Sequence, residues 1–517
     1  MRGCRILSAA MAVLGVSAAL ALPAMAQTGD VPPEQDDPPG CTTATSEDDD
    51  GCGAQGRDHF GNAGHLPPID ACATATAPTG STITRITPAG PTRVDGSLAF
   101  TSGACVYLPP GYATGELRYP VVYLLHGGGG DQADWKTFGD AQRILDEAYA
   151  ADPADAAIAV LPDGRSGQWY DFLDRTFRIE TYVLRHLIPA VDARFRTIDD
   201  RAGRAVIGLS NGGYGALHLA AKAPDLFVAA GAMSANLGAR TFSELGDGNR
   251  VYYQGNVPYQ LAANLDPVDL IIDWGATCTS DLLVDGCATW AFEQAFRADN
   301  MAFRSRLDEV GYAGTVDYRE TEGSHAWRWW SRWLAERHLP FALERLADPA
   351  PGTVERSPLP SSFRYRSIFD RFSVWGYDVE VQRDVREFLD LTEVRADGFT
   401  IEGSGRAVVT TAGRYRPGGA YVVDGATASP TEVVADAAGR LRIPVDLGPS
   451  HAHEQFSTEG DVDAAAAGAA YWTVRAVTIT AAGDGPGGVT AEVGGGAPAS
   501  AAAGFGAGSS GSALGSP

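Results

Sequence analysis

The chain has 517 residues, 44% of them hydrophobic, which is long and apolar enough for two folded domains with tails. Its 64 acidic and 40 basic residues give a formal net charge of −24, which argues against a nucleic acid or an anionic membrane surface as partner. After residue 26 no segment of the sequence is long and apolar enough to cross a bilayer, so we expect no stable membrane insertion. Nothing in the sequence indicates the oligomeric state.

Residues 1–26 have the pattern of a secretory signal peptide. Arg2 and Arg5 precede an apolar stretch, and the tripeptide Ala-Met-Ala at 24–26 provides the small residues of a cleavage site. A membrane anchor is the alternative, but the apolar run is short and ends in the cleavage pattern. We therefore expect a secreted, extracellular protein.

Six cysteines follow the signal peptide, and an even number in an exported chain predicts disulfides. They are Cys41, Cys52, Cys72, Cys105, Cys278 and Cys287. Cys278 and Cys287 lie in one short loop, so we predict that they pair. By proximity alone, Cys41 would pair with Cys52 and Cys72 with Cys105. No cysteine or histidine cluster has the spacing of a zinc site, so we predict neither a metal nor a cofactor.

Strands and helices alternate over residues 83–348, after an irregular, cysteine-stapled lead-in at 27–82 that is rich in Pro, Gly, Thr and Asp. The predicted strands are 101–108, 119–125, 157–161, 205–209, 228–233, 269–273 and 314–320. The predicted helices are 139–151, 178–193, 212–222, 288–311 and 326–346. Such alternation indicates an α/β fold, a mostly parallel sheet covered by helices on both faces.

The pattern changes after the Pro-Ala-Pro-Gly segment at 349–352. Residues 355–482 contain short β-rich runs divided by Gly and Asp turns, which predict a C-terminal antiparallel β-sandwich domain. Residues 483–517 contain little besides Gly, Ala, Ser and Pro, so we expect this tail to be disordered.

Residues 208–212, Gly-Leu-Ser-Asn-Gly, fit the pattern G-x-S-x-G, in which a strand turns sharply into a helix and holds a serine in a strained backbone. Glycines are needed there because side chains would collide with the adjoining strand and helix. Ser210 is thereby pushed toward substrate at a helix N-terminus. Since a predicted strand precedes the pattern and a predicted helix follows it, we interpret it as the nucleophile elbow of an α/β-hydrolase fold.

A serine becomes a good nucleophile when a histidine, oriented by a carboxylate, removes its proton. In α/β-hydrolases the acid and then the histidine follow the serine in the chain. His325 directly follows the predicted strand 314–320, where this architecture places its base. Histidines 218 and 338 lie within predicted helices, and 451 and 453 belong to the second domain. We therefore predict that His325 is the base.

Two carboxylates between Ser210 and His325 compete for the role of the acid. Asp281 follows the predicted strand 269–273, and Glu293 lies near the start of the predicted helix 288–311. The periodicity of the apolar residues does not distinguish the two carboxylates, because either one can be a solvated side chain.

The glycine run at 127–130 follows His126 and the buried strand 121–125. Glycines there let a backbone N–H approach the oxyanion that forms during acyl transfer. We predict that the N–H groups of Gly128 and Asn211 form the oxyanion hole.

Three motifs in this order, YLLHGGGGD, GLSNGGYGAL and GSHAWRWW, resemble the esterase D group of α/β-hydrolases, which includes S-formylglutathione hydrolases, feruloyl esterases and secreted mycolyltransferases. The resemblance covers residues 95–345 and implies ester chemistry. In the mycolyltransferase branch a helix of the form E-x-x-x-R-x-x-N-x-x-F begins with the acid of the triad, and residues 293–303 look like it. The resemblance therefore favours Glu293, with Asp281 as runner-up.

The chain departs from mycolyltransferases where their Asp-Gly-Leu-Arg-type segment helps to bind trehalose, since His126 and glycines stand there. The C-terminal sandwich lies outside the resemblance, and either a polymer-binding module or a structural cap would account for it. Trp135, Trp169 and Trp327 are candidates for lining the substrate site, although aromatic residues near such sites are equally often part of the core.

The sequence as a whole predicts a secreted serine esterase, a carboxylic-ester hydrolase that forms an acyl-enzyme on Ser210. Its partner would be a small-molecule or polymeric ester. The first alternative is an acyltransferase of the mycolyltransferase type, which passes the acyl group to a sugar or lipid alcohol. The second is a non-catalytic cell-wall binding protein that retains the fold.

Overall fold

A computed structural model describes residues 72, 77–91, 102–165, 168–175, 177–237, 250–278, 289–352 and 356–482. The predicted signal peptide, most of the lead-in and the predicted tail lie outside the described residues. So do Cys41, Cys52, Asp281 and Cys287, and the predictions made for them stay predictions.

An eight-stranded sheet forms the centre of the first unit, with the strand order β1-β2-β5-β4-β6-β7-β8-β9. Its strands are Thr82–Ile86 (β1), Ala104–Leu108 (β2), Val121–Leu125 (β4), Ile158–Pro162 (β5), Arg204–Leu209 (β6), Ala229–Met233 (β7), Asp269–Thr277 (β8) and Val316–Glu322 (β9). The pairs β1–β2 and β2–β5 are antiparallel, and all pairs from β5 to β9 are parallel. A short strand, Leu117–Arg118 (β3), pairs with Ala350–Pro351 (β10) beside this sheet.

Helices cover both faces of the sheet. They are Asp134–Thr137 (α1), Ala141–Ala151 (α2), Ile179–Thr181 (α3), Ile188–Arg194 (α4), Asn211–Lys222 (α5), Arg250–Gln254 (α6), Pro258–Leu261 (α7), Trp290–Glu309 (α8), Trp327–Trp333 (α9) and Leu339–Leu343 (α10). The segments Tyr182–Leu187 and Leu334–His338 continue α3 and α9 as π-helical turns.

Alternation along β4 shows how the two faces are filled. Tyr123 packs into a core with residues of α4, α5 and α8, while Val122 and Leu124 pack into a second core with α2, α9 and α10. Side chains of a strand alternate between the two faces, so an apolar run with no polar position is what a sheet covered on both sides requires. The predicted α/β fold with a mostly parallel sheet is confirmed.

A disulfide joins Cys72 to Cys105 of β2, with a Cα–Cα distance of 5.1 Å. This confirms a pairing that sequence proximity alone had indicated. Cys278 is also disulfide-bonded, but its predicted partner lies outside the described residues.

The C-terminal unit consists of two antiparallel sheets. Their strands are Phe363–Ser367 (β11), Arg371–Val374 (β12), Tyr377–Gln382 (β13), Leu389–Arg395 (β14), Gly398–Gly403 (β15), Arg406–Thr410 (β16), Ala420–Asp424 (β17), Thr431–Val434 (β18), Arg442–Asp446 (β19) and Thr473–Ala481 (β20). The six-stranded sheet has the order β11-β14-β15-β20-β17-β18 and the four-stranded sheet β12-β13-β16-β19. Both contribute buried side chains to one core, as predicted for a sandwich.

This unit also contains a helix that was not predicted, Thr458–Ala467 (α11). Of its residues only Gly460 is buried, so the segment has no apolar stripe of helical period that would have revealed it. The short helices α6 and α7 escaped prediction as well, because a helix of four or five residues is too short to show periodicity. Among the described residues, no helix has the length and apolarity needed to cross a membrane.

Candidate active site

The backbone at Ser210 has the strained geometry of a nucleophile elbow. Ser210 joins β6 to α5 with φ 53° and ψ −120°, a left-handed region that a residue with a side chain rarely adopts. Hydrogen bonds hold it there: its N–H donates to Met233 O at 2.8 Å, and its own carbonyl accepts from Asn236 N–H at 3.1 Å. A Cβ at Gly212 would come within 2.4 Å of the carbonyl oxygens of Leu125 and His126, so glycine lets α5 start against the end of β4.

The parallel strands bring their carboxyl ends to one edge of the sheet, and the predicted site residues meet there. Ser210 follows β6, the glycine run follows β4 and His325 follows β9. Glu293 lies in the first turn of α8, which follows β8. His325 thus lies next to Glu293, which is 32 positions away in the chain, and next to Ser210, which is 115 positions away.

Ser210, His325 and Glu293 form a continuous hydrogen-bonded series. His325 Nε2 lies 3.0 Å from Ser210 Oγ, and His325 Nδ1 lies 2.9 Å from Glu293 Oε2. A carboxylate oxygen can only accept, so the Nδ1–H donates to Glu293 and leaves Nε2 free to take the serine proton. Glu293 is fully buried and the His325 side chain is 9% exposed. The geometry suits general-base activation of a serine hydroxyl.

Two further donors hold the other oxygen of Glu293, and one of them was missed in the sequence. Oε1 accepts the N–H of Gly275 at 2.7 Å and the hydroxyl of Ser234 at 2.9 Å. Ser234 is itself buried and accepts the indole N–H of Trp330 at 3.0 Å. The available signal was weak, because Ser234 was merely a small polar residue directly after the predicted strand 228–233.

The glycine run lies against the serine, and His126 holds it in place. A Cβ at Gly127 would lie 2.8 Å from the Leu209 side chain and 3.3 Å from Ser210 Cβ. The His126 ring is buried; its Nε2 accepts the N–H of Gly164 at 2.9 Å and its Nδ1 lies 2.8 Å from Gly127 O. These contacts require the tautomer with the proton on Nδ1. Gly128, next in the run, is exposed, and Asn211 begins α5 beside the serine.

The three tryptophans predicted to line the substrate site differ in exposure. Trp135 and Trp169 are 1% and 0% exposed, and the Trp169 indole donates to His126 O at 3.1 Å. Trp327 is half-buried and its ring contacts Trp135, with 5.3 Å between centroids. Of the three, Trp327 is therefore the one with surface that a substrate could reach.

Two other buried histidines have partners of their own and lie apart from Ser210. His218 Nε2 lies 2.7 Å from Glu180, and His338 Nε2 lies 3.2 Å from Asp273. Burial opposes ionisation of Asp273, but His338 and Arg337 outweigh it and hold the pKa of this carboxyl below its ordinary value. In the described part of the chain no group of three or more His, Cys, Asp or Glu side chains could hold a metal ion.

Residues 99–341 match the model of the esterase family, which is described as “Putative esterase”. The matched range contains every residue of the hydrogen-bonded series and the glycine run.

Curated relatives match over a shorter range. Esterase Rv1288 of Mycobacterium tuberculosis (strain H37Rv) is 41% identical over 142 residues, which is 27% of this chain and 30% of the relative. An endo-1,4-beta-xylanase/feruloyl esterase of Xylanibacter ruminicola is 33% identical over 131 residues, 24% of this chain and 18% of the relative. The chain thus spans less than a third of the length of these curated relatives.

Solved structures similar to this chain cover about half of it. A ferulic acid esterase has a TM-score of 0.42 and 24% identity, covering 52% of this chain and 99% of its own. An S-formylglutathione hydrolase from Staphylococcus aureus has a TM-score of 0.39 and 18% identity, covering 51% of this chain and 99% of its own.

Proposed function

We propose that the protein is a serine carboxylic-ester hydrolase that works through an acyl-enzyme on Ser210, a proposal supported by the match of residues 99–341 to the esterase family model. The observation that carries this proposal is the hydrogen-bonded series from Ser210 through His325 to Glu293, with distances of 3.0 and 2.9 Å. A strained serine at the start of a helix and a glycine run beside it support the same chemistry.

Acylation begins when Ser210 Oγ attacks the ester carbonyl carbon while its proton passes to His325 Nε2. The carbonyl oxygen becomes an oxyanion, which the N–H groups of Gly128 and Asn211 would stabilise. Glu293 holds the imidazole in the productive tautomer and stabilises the imidazolium. Collapse of the tetrahedral intermediate breaks the bond to the alcohol oxygen, which receives the proton from Nε2.

Deacylation repeats these steps with water. His325 Nε2 removes a proton from a water molecule, the resulting hydroxide attacks the acyl carbon, and the proton returns to Ser210 Oγ as the acid leaves. No cofactor takes part in this mechanism. A small-molecule or polymeric ester is the proposed substrate, with Trp327 at the edge of its site.

Export from the cell is part of the proposal. The pattern of residues 1–26 supports it, and so does the Cys72–Cys105 disulfide, since such cross-links persist in oxidising compartments. We also propose a catalytic domain at 83–348 and a sandwich domain at 355–482, with the irregular lead-in and the tail as additional segments.

A fluorophosphonate probe together with a series of short 4-nitrophenyl esters tests the function. The wild-type protein should be labelled and should hydrolyse the esters, and Ser210→Ala should lose both properties. Glu293→Gln should lower kcat by roughly a thousandfold or more, because the imidazole loses its orienting acceptor.

Asp281→Asn is the matched control and should leave kcat near the wild-type value. A large loss of kcat in Asp281→Asn, together with a small loss in Glu293→Gln, would assign the role of the acid to Asp281. If acceptor alcohols accelerated turnover while hydrolysis stayed negligible, the acyltransferase alternative would replace the hydrolase. Absence of labelling in folded wild-type protein would favour the non-catalytic binding protein.

A further inference from the structure

One aromatic side chain beside the imidazole of His325 is open to solvent. Three rings surround that imidazole, those of Phe292, Phe296 and Trp330, with centroids 4.8, 5.2 and 4.8 Å away. Phe296 and Trp330 are buried, with 9% and 6% of their surface exposed, whereas Phe292 exposes 54%. A substrate can therefore reach Phe292 and cannot reach the other two rings.

The path of the proton decides which half of an ester lies next to this ring. In acylation the proton passes from His325 Nε2 to the leaving oxygen, so this oxygen must come within about 3 Å of Nε2. The carbonyl oxygen instead points to the N–H donors at Gly128 and Asn211. Groups attached to the leaving oxygen consequently pass along the surroundings of the imidazole.

We infer that Phe292 binds the alcohol half of the ester and selects alcohols with an apolar surface over small ones. This inference rests on the proposed hydrolase function. Phe292 precedes Glu293 in the first turn of α8, and three hydrogen bonds hold the carboxylate of Glu293. The ring therefore stands at a fixed place relative to the base, and an alcohol that covers it removes apolar surface from water.

The alcohol has left before water attacks the acyl-enzyme. Phe292 therefore acts on acylation, which kcat/KM reports, and has no part in deacylation. A residue that only supported the fold or the position of His325 would affect both steps and every ester alike.

The ethyl and 2-phenylethyl esters of one acid provide the test. The two alcohols have similar acidity, so a difference in rate reports contacts with the alcohol. We expect Phe292→Ala to lower kcat/KM for the 2-phenylethyl ester by roughly tenfold. The ethyl ester, the deacylation rate and labelling of Ser210 by a fluorophosphonate should not change.

Phe138→Ala is the matched control. Phe138 is 58% exposed and its ring contacts Trp327 at 5.9 Å rather than the imidazole, so the ratio of the two esters should stay at the wild-type value. Equal losses on both esters in Phe292→Ala, or the same selective loss in Phe138→Ala, would overturn the inference. A wild-type protein that takes no probe and cleaves neither ester would overturn the proposed function as well.

Discussion

The hydroxyl of Ser234 forms hydrogen bonds with two side chains of the site. The chemistry of these partners fixes which bond the hydroxyl donates and which it accepts. An indole N–H only donates, so the Ser234 hydroxyl must accept from Trp330 and turn its own proton toward Glu293 Oε1. Its backbone has φ 49°, a region that costs energy for a residue with a side chain. The N–H of Ser234 donates to Asp273 O at 2.8 Å, which helps to hold this conformation. We infer that Ser234 is a positioning residue for Glu293.

Removing the Ser234 hydroxyl should lower kcat by roughly ten- to a hundredfold, because a small displacement of Glu293 moves the His325 imidazole, the proposed base. KM should stay unchanged. Ser234→Gly is the informative companion to Ser234→Ala, since glycine removes the hydroxyl and also tolerates positive φ. Steady-state kinetics should show equal losses of kcat in the two variants. A normal kcat in Ser234→Gly would mean that the loss in Ser234→Ala comes from backbone strain.

At the scale of elements, a buried ionic cluster joins α3 to α5, the helix that starts at Ser210. Glu180 of α3 lies 2.7 Å from His218 and 3.9 Å from Lys222, both on α5. Burial alone would raise the pKa of Glu180, but the charges of Lys222 and His218 outweigh it and lower the pKa to about 2. Ionised Glu180 therefore stabilises the folded protein above pH 4.5, its ordinary pKa, and this stabilisation is lost as the pH falls toward 2.

Glu180→Gln should destabilise the protein by about 3 kcal/mol at pH 7, and the difference from wild type should shrink below about pH 4.5. Chemical denaturation at several pH values measures it. Asp171, whose pKa burial and Glu180 raise to about 6, has the opposite sign, since its protonation on acidification favours the folded state. Because Glu180→Gln removes one cause of that raised pKa, the difference between the two proteins should first widen as the pH falls through about 6 and shrink only below about pH 4.5.

The exposed pair Arg143–Glu147, at 2.6 Å, provides the control for this measurement. Glu147→Gln should change stability by less than about 1 kcal/mol at any pH, as is usual for surface ion pairs. A constant difference between Glu180→Gln and wild type from pH 7 to pH 3 would contradict the ionic account of the cluster.

At the scale of the whole molecule, the sandwich packs against the far end of the same helix. Tyr365 of β11 donates to the carbonyl of Lys222 at 2.8 Å, and Arg366 N–H donates to the side chain of Asn264 at 2.8 Å. Ile368 and Phe388 are buried in the core that contains α5. A tethered module would not share a hydrophobic core with its neighbour, so these contacts favour the structural cap over a mobile polymer-binding module.

Ile368→Ala should destabilise the full-length protein by about 2–4 kcal/mol, because it leaves a cavity at this shared core. We also expect a protein that stops after residue 352 to have a lower Tm and to aggregate. Calorimetry should show a single cooperative transition for the intact chain. Two separate transitions, with a truncated protein as stable and active as the full chain, would identify the sandwich as an independent module.

Local patterns were enough to predict much of this protein. The apolar runs and their alternation with amphipathic segments predicted the mostly parallel sheet, because a strand buried on both faces must be apolar throughout. Glycines at 208 and 212 marked the elbow, since the close approach they allow is a steric requirement of the turn itself. The choice of His325 as the candidate base followed from its position directly after a strand of such a sheet.

Contacts between distant segments were decided by the tertiary structure alone. Residues of one type look alike in sequence whether they are solvated or buried, so Ser234 was not recognised and Phe292 was not separated from Phe296. The sequence determined the class of fold and the sharp strand-to-helix turn at Ser210, because both follow from local sterics and periodicity. The partners of Glu293 and the packing of the sandwich on α5 were decided only when folding brought side chains of different strands and helices together.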